Sequence, residues 1–308
     1  MNRRTALLNL AATGLVPFVR NPHTVETHPD TIETHPVKRA IPSSGEMVPS
    51  VGLGTWRTFN VGDNENDLNQ RRQVLKELVA SGGSVVDSSP MYGRSEGVVG
   101  KLSTELGSNA RLFIATKVWT TGEREGKEQM QRSFDLLHRK QIDLMQVHNL
   151  VDWKTHLPTL YKMKEEKRIR YIGITHYVES AYDQLESIMR SEAIDFLAVN
   201  YSAESRTAEE RLLPLAKDKG IAVIINRPFE EGALFDRVTD KKLPSLAKDI
   251  NCRTWAQVFL KYILANPAVT CVIPGTTNPS HMVENVGAAD DILPDARMRS
   301  EIIKLLAA

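Results

Sequence analysis

Residues 112–117, LFIATK, and residues 142–148, IDLMQVH, are the two stretches that indicate the fold most clearly. Each is apolar on both faces, as in a parallel strand that helices cover on both sides. Each also ends in a side chain that can hold a proton, Lys117 or His148. Six similar stretches follow the same pattern, so the predicted strands are 51–55, 84–87, 112–117, 142–148, 169–176, 195–201, 221–226 and 269–273.

Eight strands alternating with helices over about 250 residues match a (β/α)₈ TIM barrel in number and length. Helical patterns between and after the strands include 69–80, 206–219, 254–265 and 295–308. An open doubly wound sheet would need a glycine-rich phosphate loop after its first strand. The sequence GLGTWR at residues 52–57 lacks the third glycine of that loop, so the barrel is favoured. Residues 39–49 contain SSGE and are expected to form an N-terminal β-hairpin that plugs the barrel.

The composition excludes several classes of protein. The 308 residues include 39 Lys and Arg against 38 Asp and Glu, a formal net charge of +1. This balance argues against nucleic-acid binding, which needs an excess of clustered positive side chains. The two cysteines, Cys252 and Cys271, are too few for a disulfide framework or a thiolate zinc site. A single bridge between them is possible, but we expect two buried thiols.

The N-terminal residues differ from the rest of the chain. Arg3 and Arg4 precede a mostly apolar run, residues 6–19, which is too short to span a bilayer. This pattern resembles a twin-arginine export signal, so residues 1–20 are interpreted as a leader and the protein as exported, to the periplasm. A frayed helix on a cytoplasmic protein is the alternative. Residues 21–38 repeat VETHP as IETHP, which indicates an extended tether before the barrel at 39–308.

Four candidate catalytic residues follow three neighbouring strands. Asp87 ends the second strand and precedes SSPMYG with Tyr92, while Lys117 and His148 end the third and fourth strands. Barrel chemistry lies at these carboxyl ends. A desolvated lysine needs an anionic partner, which Asp87 provides, and the ammonium is expected to lower the pKa of Tyr92. Tyr92 would then exchange a proton with a carbonyl oxygen that His148 orients, while a nicotinamide cofactor supplies hydride.

These residues also allow three other interpretations. A Schiff-base aldolase would use Lys117 as nucleophile, and the carboxylate partner counts against it. A metallohydrolase would need a ligand cluster such as His-x-His after the first strand, and none occurs, so no metal site is predicted. In the third interpretation, Asp87 and Lys117 form only a buried structural ion pair, with His148 beside it.

Five motifs occur in order along the chain: GLGTW at 52–56, VDSSPMYG at 86–93, TK at 116–117, QVH at 146–148 and IPGT at 273–276. Together they are similar to the motifs of the aldo-keto reductase superfamily over residues 39–308, and the leader suggests a bacterial member. The resemblance implies a barrel that binds NAD(P)(H), with Asp87, Tyr92, Lys117 and His148 as the catalytic tetrad. It also implies that Trp56 and Trp119 line the substrate pocket.

The residues that the resemblance assigns to the cofactor depart from the family pattern. Thr175 and His176 replace a usual Ser-Asn, Asn200 a glutamine, and Asn226 the tyrosine that stacks on nicotinamide. Gly275 and His281 occupy positions that carry Lys and Arg in NADPH-selective members, which predicts weak discrimination between NADPH and NADH or a preference for NAD(H). The complete predicted cofactor set is Gly54, Thr55, Thr175, His176, Asn200, Asn226, Arg227, Gly275, Thr276, His281, Glu284 and Asn285.

The resemblance predicts an oxidoreductase that interconverts an aldehyde or ketone with its alcohol. The alternative is a regulatory or redox-sensor barrel that binds the nucleotide with little turnover. Asn226, in place of the tyrosine that stacks on nicotinamide, leaves this alternative open. The last helix ends the chain without the long C-terminal loop of many steroid-active relatives. An open pocket with broad substrate preference is therefore expected, and the expected partners are a small carbonyl or alcohol substrate and an export translocon that recognises the leader.

Overall fold

The centre of the fold is an eight-stranded sheet whose strands follow chain order. The computed structural model describes residues 36–307. Every adjacent pair of strands is parallel, as expected when a helix connects each strand to the next. The strands are β3 (Leu53–Gly54), β4 (Val85–Asp87), β5 (Phe113–Val118), β6 (Ile142–His148), β7 (Ile169–His176), β8 (Phe196–Asn200), β9 (Ala222–Asn226) and β10 (Val269–Val272).

The first and last strands of the sheet meet, which makes it a barrel. Val51 forms a parallel bridge with Val272, and the Gly52 N–H donates to the Val272 carbonyl at 2.9 Å. The Gly54 N–H donates to the Pro274 carbonyl at 3.1 Å. A Cβ on Gly54 would lie 2.7 Å from the carbonyl oxygen of Ile273, so this junction needs glycine. The predicted (β/α)₈ barrel is confirmed.

The helices surround the sheet and bury its outer face. They are α1 (Glu65–Ala80), α2 (Ser95–Glu105), α3 (Glu123–Leu136), α4 (Trp153–Glu165), α5 (Tyr182–Ser191), α6 (Leu212–Lys219), α7 (Ala233–Asp236), α8 (Leu246–Asp249), α9 (Trp255–Leu264), α10 (Pro279–Val286) and α11 (Ala296–Ala307). Helix α1 begins before the predicted residue 69 because the Asn64 side chain caps it, accepting from the N–H groups of Asn66 and Asp67. The helix predicted at 206–219 is interrupted at Arg211, whose backbone is not helical.

Side chains inside the barrel form a separate apolar cluster. It takes alternate residues from the strands, such as Val85 in β4, Phe113 in β5 and Leu144 in β6. The intervening residues, such as Val86 and Ile114, pack outward with the helices. This period of two is the strand geometry, and it divides each strand between an inner and an outer core.

An N-terminal hairpin closes the end of the barrel opposite the carboxyl ends of the strands. Strands β1 (Lys38–Ala40) and β2 (Met47–Pro49) pair antiparallel. Ile41 and Val48 join the inner apolar cluster, and both are buried. The Arg39 guanidinium donates to the carbonyl oxygens of Leu264 and Val269. The predicted hairpin plug is therefore present, and it leaves the other end of the barrel free for a site.

Some expectations fall outside the described region. The leader at 1–20 and nearly all of the tether at 21–38 precede it, although β1 already includes Lys38. Within residues 36–307, no helix is both long enough and apolar enough to cross a bilayer. Cys252 and Cys271 are both buried, and each is a free thiol.

Candidate active site

The inward side chains change from apolar to polar toward the carboxyl ends of the strands. In β4, Asp87 follows the inward Val85 by two residues, and in β5, Lys117 follows Phe113 by four. In β6, Gln146 and His148 follow the inward Leu144. Because side chains alternate along a strand, all of these polar groups point into the top of the barrel. The barrel therefore collects them above its own apolar core.

Asp87 and Lys117 form a buried ion pair at the base of the site. The Lys117 ammonium donates to Asp87 Oδ2 at 2.6 Å and to the Ser88 carbonyl at 2.7 Å, and each side chain of the pair is about 4% exposed or less. Gln146 Nε2 donates to the second carboxylate oxygen, Asp87 Oδ1, at 3.1 Å. Burial acts to lower the pKa of Lys117, but Asp87 and Tyr92 raise it above its usual value. Lys117 is therefore held as a fixed positive charge.

Tyr92 and His148 lie side by side above this pair. Tyr92 ends a short 3₁₀ turn, Pro90–Tyr92, that follows β4, and its N–H donates to the Ser89 carbonyl at 2.9 Å. Its ring meets the His148 imidazole edge to face, with 5.7 Å between centroids. The Lys117 ammonium lies 5.0 Å from the centre of the Tyr92 ring. The predicted tetrad is thus assembled in one place.

The pKa of Tyr92 differs from the sequence expectation. Burial raises it above the ordinary value of about 10, the Lys117 ammonium acts in the opposite direction, and Asp87 adds to the increase. The expectation that Lys117 would lower this pKa overall is wrong, because that argument omitted the cost of placing a phenolate in a buried site. At neutral pH, Tyr92 is therefore a protonated phenol that can donate.

His148 is neutral in this site. Burial and the nearby Lys117 charge lower its pKa to about 2, with a further contribution from His176. Ser89 Oγ lies 2.9 Å from His148 Nδ1. A neutral imidazole carries one N–H, so His148 can donate one hydrogen bond and accept another. This capability suits a side chain that binds a carbonyl oxygen without giving up its proton.

Sequence reasoning missed Ser89 and Gln146. Both lie two residues from a predicted site residue, Ser89 after Asp87 and Gln146 before His148. Strand alternation places residues at this spacing on one face, and this signal would have identified them.

Thr55, predicted for the cofactor, donates its hydroxyl to the Asp87 carbonyl at 2.9 Å and to Ser88 Oγ at 3.0 Å. It therefore also supports the β4 end of the site.

A cavity of about 610 Å³ opens above the tetrad. Tyr92, His148 and Asp87 border it, as does the predicted substrate residue Trp56. Trp119 is 42% exposed, and its ring centroid lies 6.4 Å from that of His148. Of the predicted cofactor residues, those that border the cavity are Gly54, Thr55, Thr175, Asn226, Arg227 and Gly275. The remainder, His176, Asn200, Thr276, His281, Glu284 and Asn285, lie outside its lining.

Two neighbouring strand ends carry amide oxygens without partners. Asn200 and Asn226 are paired across β8 and β9, and the Oδ1 atoms of both are buried with no hydrogen bond among the described residues. Buried acceptors of this kind are costly unless a ligand satisfies them. Asn226 borders the cavity, so a ligand there that carries N–H donors, such as the carboxamide of a nicotinamide, fits its oxygen, whereas Asn200 lies outside the lining. His176 Nδ1 accepts from the N–H groups of Tyr177 and Val178, which leaves its Nε2 as the donor.

Charged side chains connect two loops at the mouth of the cavity. Arg57, after β3, and Arg227, after β9, both form ion pairs with Glu231, at 3.0 Å and 2.6 Å. The Arg227 guanidinium also lies 5.2 Å from the centre of the Tyr177 ring. Sequence reasoning did not identify Arg57, Tyr177 or Glu231: Arg57 follows the GLGTW motif without belonging to it, and Tyr177 and Glu231 come from loops without a recognisable motif.

The segment after β10 presents hydrogen-bonding groups but no positive side chain at the two positions noted above. Asn278 caps α10 by accepting from the Ser280 N–H at 2.9 Å, and Thr276 Oγ1 accepts from the Asn278 N–H at 3.0 Å. Gly275 and His281 are exposed. The described residues contain no group of three or more potential metal ligands.

Comparisons with known proteins agree with this geometry. The family model described as "Aldo/keto reductase family" matches residues 50–301. An Escherichia coli (strain K12) protein named NADH-specific methylglyoxal reductase is 24% identical over 307 residues, covering 80% of this chain and 91% of that one. A Bacillus halodurans aldo-keto reductase in its holo form superposes with a TM-score of 0.73, at 23% identity over 88% of this chain and 96% of that one. A Klebsiella pneumoniae aldo/keto reductase in complex with NADP and acetate has the same score and identity, over 88% and 95%.

Proposed function

The chain belongs to the aldo/keto reductase family and is an NAD(P)H-dependent oxidoreductase, and from this premise we propose that it interconverts an aldehyde or ketone with its alcohol, using Tyr92 as general acid and base. The observation that carries the proposal is the convergence of Tyr92, His148, Lys117 and Asp87 beneath one cavity. A phenol beside a fixed ammonium and a neutral imidazole is suited to moving a proton to and from a carbonyl oxygen.

In the proposed mechanism, each member of the tetrad has a separate task. Tyr92 is protonated at neutral pH because burial raises its pKa, and it donates that proton to the oxygen of the carbonyl as it is reduced. Lys117, held by Asp87, stabilises the phenolate that remains. His148 donates a hydrogen bond to the same oxygen and orients it. The nicotinamide cofactor supplies the hydride when it is bound.

We assign cofactor binding to the strand ends and to the segment after β10. The unpartnered amide oxygen of Asn226 fits the carboxamide, since Asn226 and Thr175 both border the cavity, whereas Asn200 is its neighbour on β8 outside the lining. Arg227 is proposed to contact a phosphate of the nucleotide, because it borders the cavity, as Arg57 also does. Thr276, Glu284 and Asn285 remain proposed contacts for the outer part of the nucleotide.

Replacing Tyr92 by Phe tests the proposed function. We expect Tyr92→Phe to lower turnover of an aldehyde by at least about 100-fold, since general acid catalysis contributes this much. Cofactor affinity should stay within a few-fold of the wild type, because the ring and its packing are retained. Cofactor oxidation followed at saturating aldehyde, together with a fluorescence titration of cofactor binding, measures both quantities. Full turnover by the variant would contradict the assignment of Tyr92.

Turnover by the wild type separates the enzyme from a regulatory barrel that binds the nucleotide with little turnover. The observation that favours this second function is Asn226, which borders the cavity where an aromatic side chain would otherwise stack. A wild-type protein that binds cofactor but oxidises it no faster with any small aldehyde or ketone supports the regulatory function.

We further propose that discrimination between NADPH and NADH is weak, or that it favours NAD(H). Support comes from Gly275 and His281, which bring no permanent cation to the segment after β10. The Escherichia coli relative is named NADH-specific, whereas the Klebsiella structure contains NADP. Relatives of this chain therefore use both nucleotides. The proposed substrate is a small carbonyl compound, in keeping with the methylglyoxal in the name of the first relative.

We also propose that residues 1–20 direct the folded protein out of the cytoplasm by a twin-arginine translocon. The support is Arg3 and Arg4 followed by the apolar run 6–19. Because this route carries folded proteins, the cofactor would travel already bound. Fusing residues 1–38 to a fluorescent reporter tests the proposal, with Arg3→Lys and Arg4→Lys together as the variant. Periplasmic fluorescence that persists in the variant would contradict it.

A further inference from the structure

Ser89 contacts both groups that face the reacting oxygen in the proposed reductase. It is fully buried and lies between Asp87 and the 3₁₀ turn that carries Tyr92. Its carbonyl accepts the Tyr92 N–H at 2.9 Å. Its hydroxyl oxygen accepts the Met91 N–H at 3.2 Å and lies 2.9 Å from His148 Nδ1. One residue thus holds the backbone of Tyr92 and the imidazole of His148.

The hydrogen bonds of the Ser89 hydroxyl determine which nitrogen of His148 carries the proton. A hydroxyl has one hydrogen to donate, and His148 Nδ1 is its one potential acceptor among the described residues. If Nδ1 carried the proton, Ser89 Oγ would accept from two N–H groups and its own hydrogen would be buried without a partner. An unsatisfied buried donor costs about 1–3 kcal/mol. The arrangement in which Ser89 donates to a bare Nδ1 satisfies every group.

The other nitrogen of His148 then carries the hydrogen. His148 borders the cavity, and its Nε2 is neither buried nor bonded to any described residue. The ionisable groups around the ring are Lys117, Tyr92 and His176, and the Lys117 charge opposes a second proton on the imidazole. The ring is therefore a neutral donor whose N–H is aimed into the cavity beside the Tyr92 hydroxyl.

We propose that Ser89 is a positioning residue that holds His148 in its Nε2–H form, so that the imidazole and Tyr92 together donate to one carbonyl oxygen. The proposal deepens the proposed reductase function and rests on it. Ser89 does not touch the substrate, and it acts through His148. Its hydrogen bonds with the Tyr92 N–H and with His148 Nδ1 also fix the positions of these two residues relative to each other.

The tautomer of His148 is measured directly by long-range ¹H–¹⁵N correlation spectra of protein labelled with ¹⁵N-histidine. His148→Asn identifies the signal by its loss. In the wild type we expect an Nε2 shift of the protonated type and an Nδ1 shift of the bare, hydrogen-bonded type. In Ser89→Ala we expect the Nδ1 signal to lose its hydrogen-bonded shift, the two forms to mix, and kcat/KM for an aldehyde to fall about tenfold. Cofactor affinity should be unchanged, because Ser89 has no contact with the cavity.

Two variants complete the experiment. Ser89→Thr keeps the hydroxyl and should restore both the imidazole shifts and most of kcat/KM. Ser108→Ala removes another buried serine hydroxyl, one that donates to the Ser103 carbonyl below the site, and should change neither quantity. If Ser89→Ala does not fold, a protonated Nδ1 in the wild-type spectrum still overturns the proposal, and Ser89→Thr still tests whether the hydroxyl is sufficient.

Several results would overturn the proposal. A protonated Nδ1 in the wild type contradicts the hydrogen-bond argument itself. A slower Ser89→Ala variant whose imidazole shifts match the wild type shows a purely structural role. A variant with unchanged shifts and unchanged kcat/KM shows no role. The proposed reductase function fails separately, by absence of carbonyl-dependent cofactor oxidation in the wild type, and that result leaves the tautomer measurement intact.

Discussion

At the scale of single residues, the central feature is a buried ion pair. Lys117 and Asp87 are both desolvated, and such a pair is rarely more stable than apolar residues of similar volume. Its position beneath Tyr92 explains why charge is placed there: the ammonium is the group that offsets the effect of burial on the phenol. Gln146 and the Ser88 carbonyl complete the hydrogen bonding of the pair.

Removing one partner of this pair should cost more stability than removing both. Lys117→Met leaves the Asp87 carboxylate buried and unpaired, which we expect to lower the free energy of unfolding by about 3–5 kcal/mol. The double variant Asp87→Asn with Lys117→Met removes both charges and should recover part of this loss. Urea denaturation measures all three proteins. Equal stability of the single and double variants would show that the two charges are not coupled.

At the scale of elements, the inward side chains of a strand stabilise the fold near its start and form the site near its carboxyl end. The lower inward residues, such as Phe113 and Leu144, build the apolar core with the hairpin, and the upper ones, such as Lys117 and His148, build the site. Helix α10 and the segment before it are the elements proposed to meet the outer end of the nucleotide. Asn278 caps this helix and Thr276 Oγ1 accepts from the Asn278 N–H, so an exposed side chain such as His281 can be exchanged without removing the cap.

Adding a cation at the start of α10 should create a preference for NADPH. His281 is exposed, so His281→Arg adds a guanidinium without disturbing the core. A charge-assisted hydrogen bond of about 1.5–3 kcal/mol to the 2′-phosphate should raise the ratio of NADPH to NADH affinity by about tenfold or more. Fluorescence titrations measure both affinities, and His281→Gln is the uncharged control. A wild type that binds NADPH a hundredfold tighter than NADH would refute the proposed weak discrimination.

At the scale of the whole molecule, folding is coupled to the protonation of His148. The barrel buries this imidazole and lowers its pKa from 6.5 to about 2. The unfolded chain binds a proton at this residue below pH 6.5, and the folded chain does not until about pH 2. Stability due to His148 is therefore complete above pH 6.5 and is lost as the pH falls from 6.5 toward 2.

The acid sensitivity of the barrel should decrease when His148 is replaced. The cost per pH unit through this residue should rise as the pH falls below 6.5 and reach about 1.4 kcal/mol near pH 5. In His148→Asn, this contribution to the slope of unfolding free energy against pH should disappear. Denaturation at a series of pH values measures the slope. His138→Asn, which replaces an exposed histidine outside the site, is the control and should keep the wild-type slope.

Much of the fold and of the tetrad could be predicted from local sequence. The apolar run 142–148 coincides with β6, and the run 169–176 with β7, because both strands are covered on both faces. The segment 51–55 forms a strand only at Leu53–Gly54, since its neighbours take part in barrel closure rather than a regular ladder. Asp87, Lys117 and His148 were identifiable because the ends of parallel strands meet at one rim.

Other parts of the site depend on groups that are distant in sequence. Ser89 and His148 are separated by 59 residues, and nothing local shows that their side chains meet. Arg57 and Glu231 are separated by 174 residues, and nothing in the sequence near either one shows that they meet. The direction of the Tyr92 pKa shift also required the structure, because it depends on how far burial outweighs the Lys117 charge.

The sequence by itself determined the alternation of strands and helices, the barrel class and the four residues, Asp87, Tyr92, Lys117 and His148, that the barrel brings together at one rim. These properties follow from local periodicity and from the rule that parallel strands end together. Only the tertiary structure decided the protonation of Tyr92, the neutrality of His148 and the contact of Ser89 with both. Desolvation and hydrogen-bond pairing depend on every group that surrounds an atom, and in a closed barrel most of those groups come from other strands.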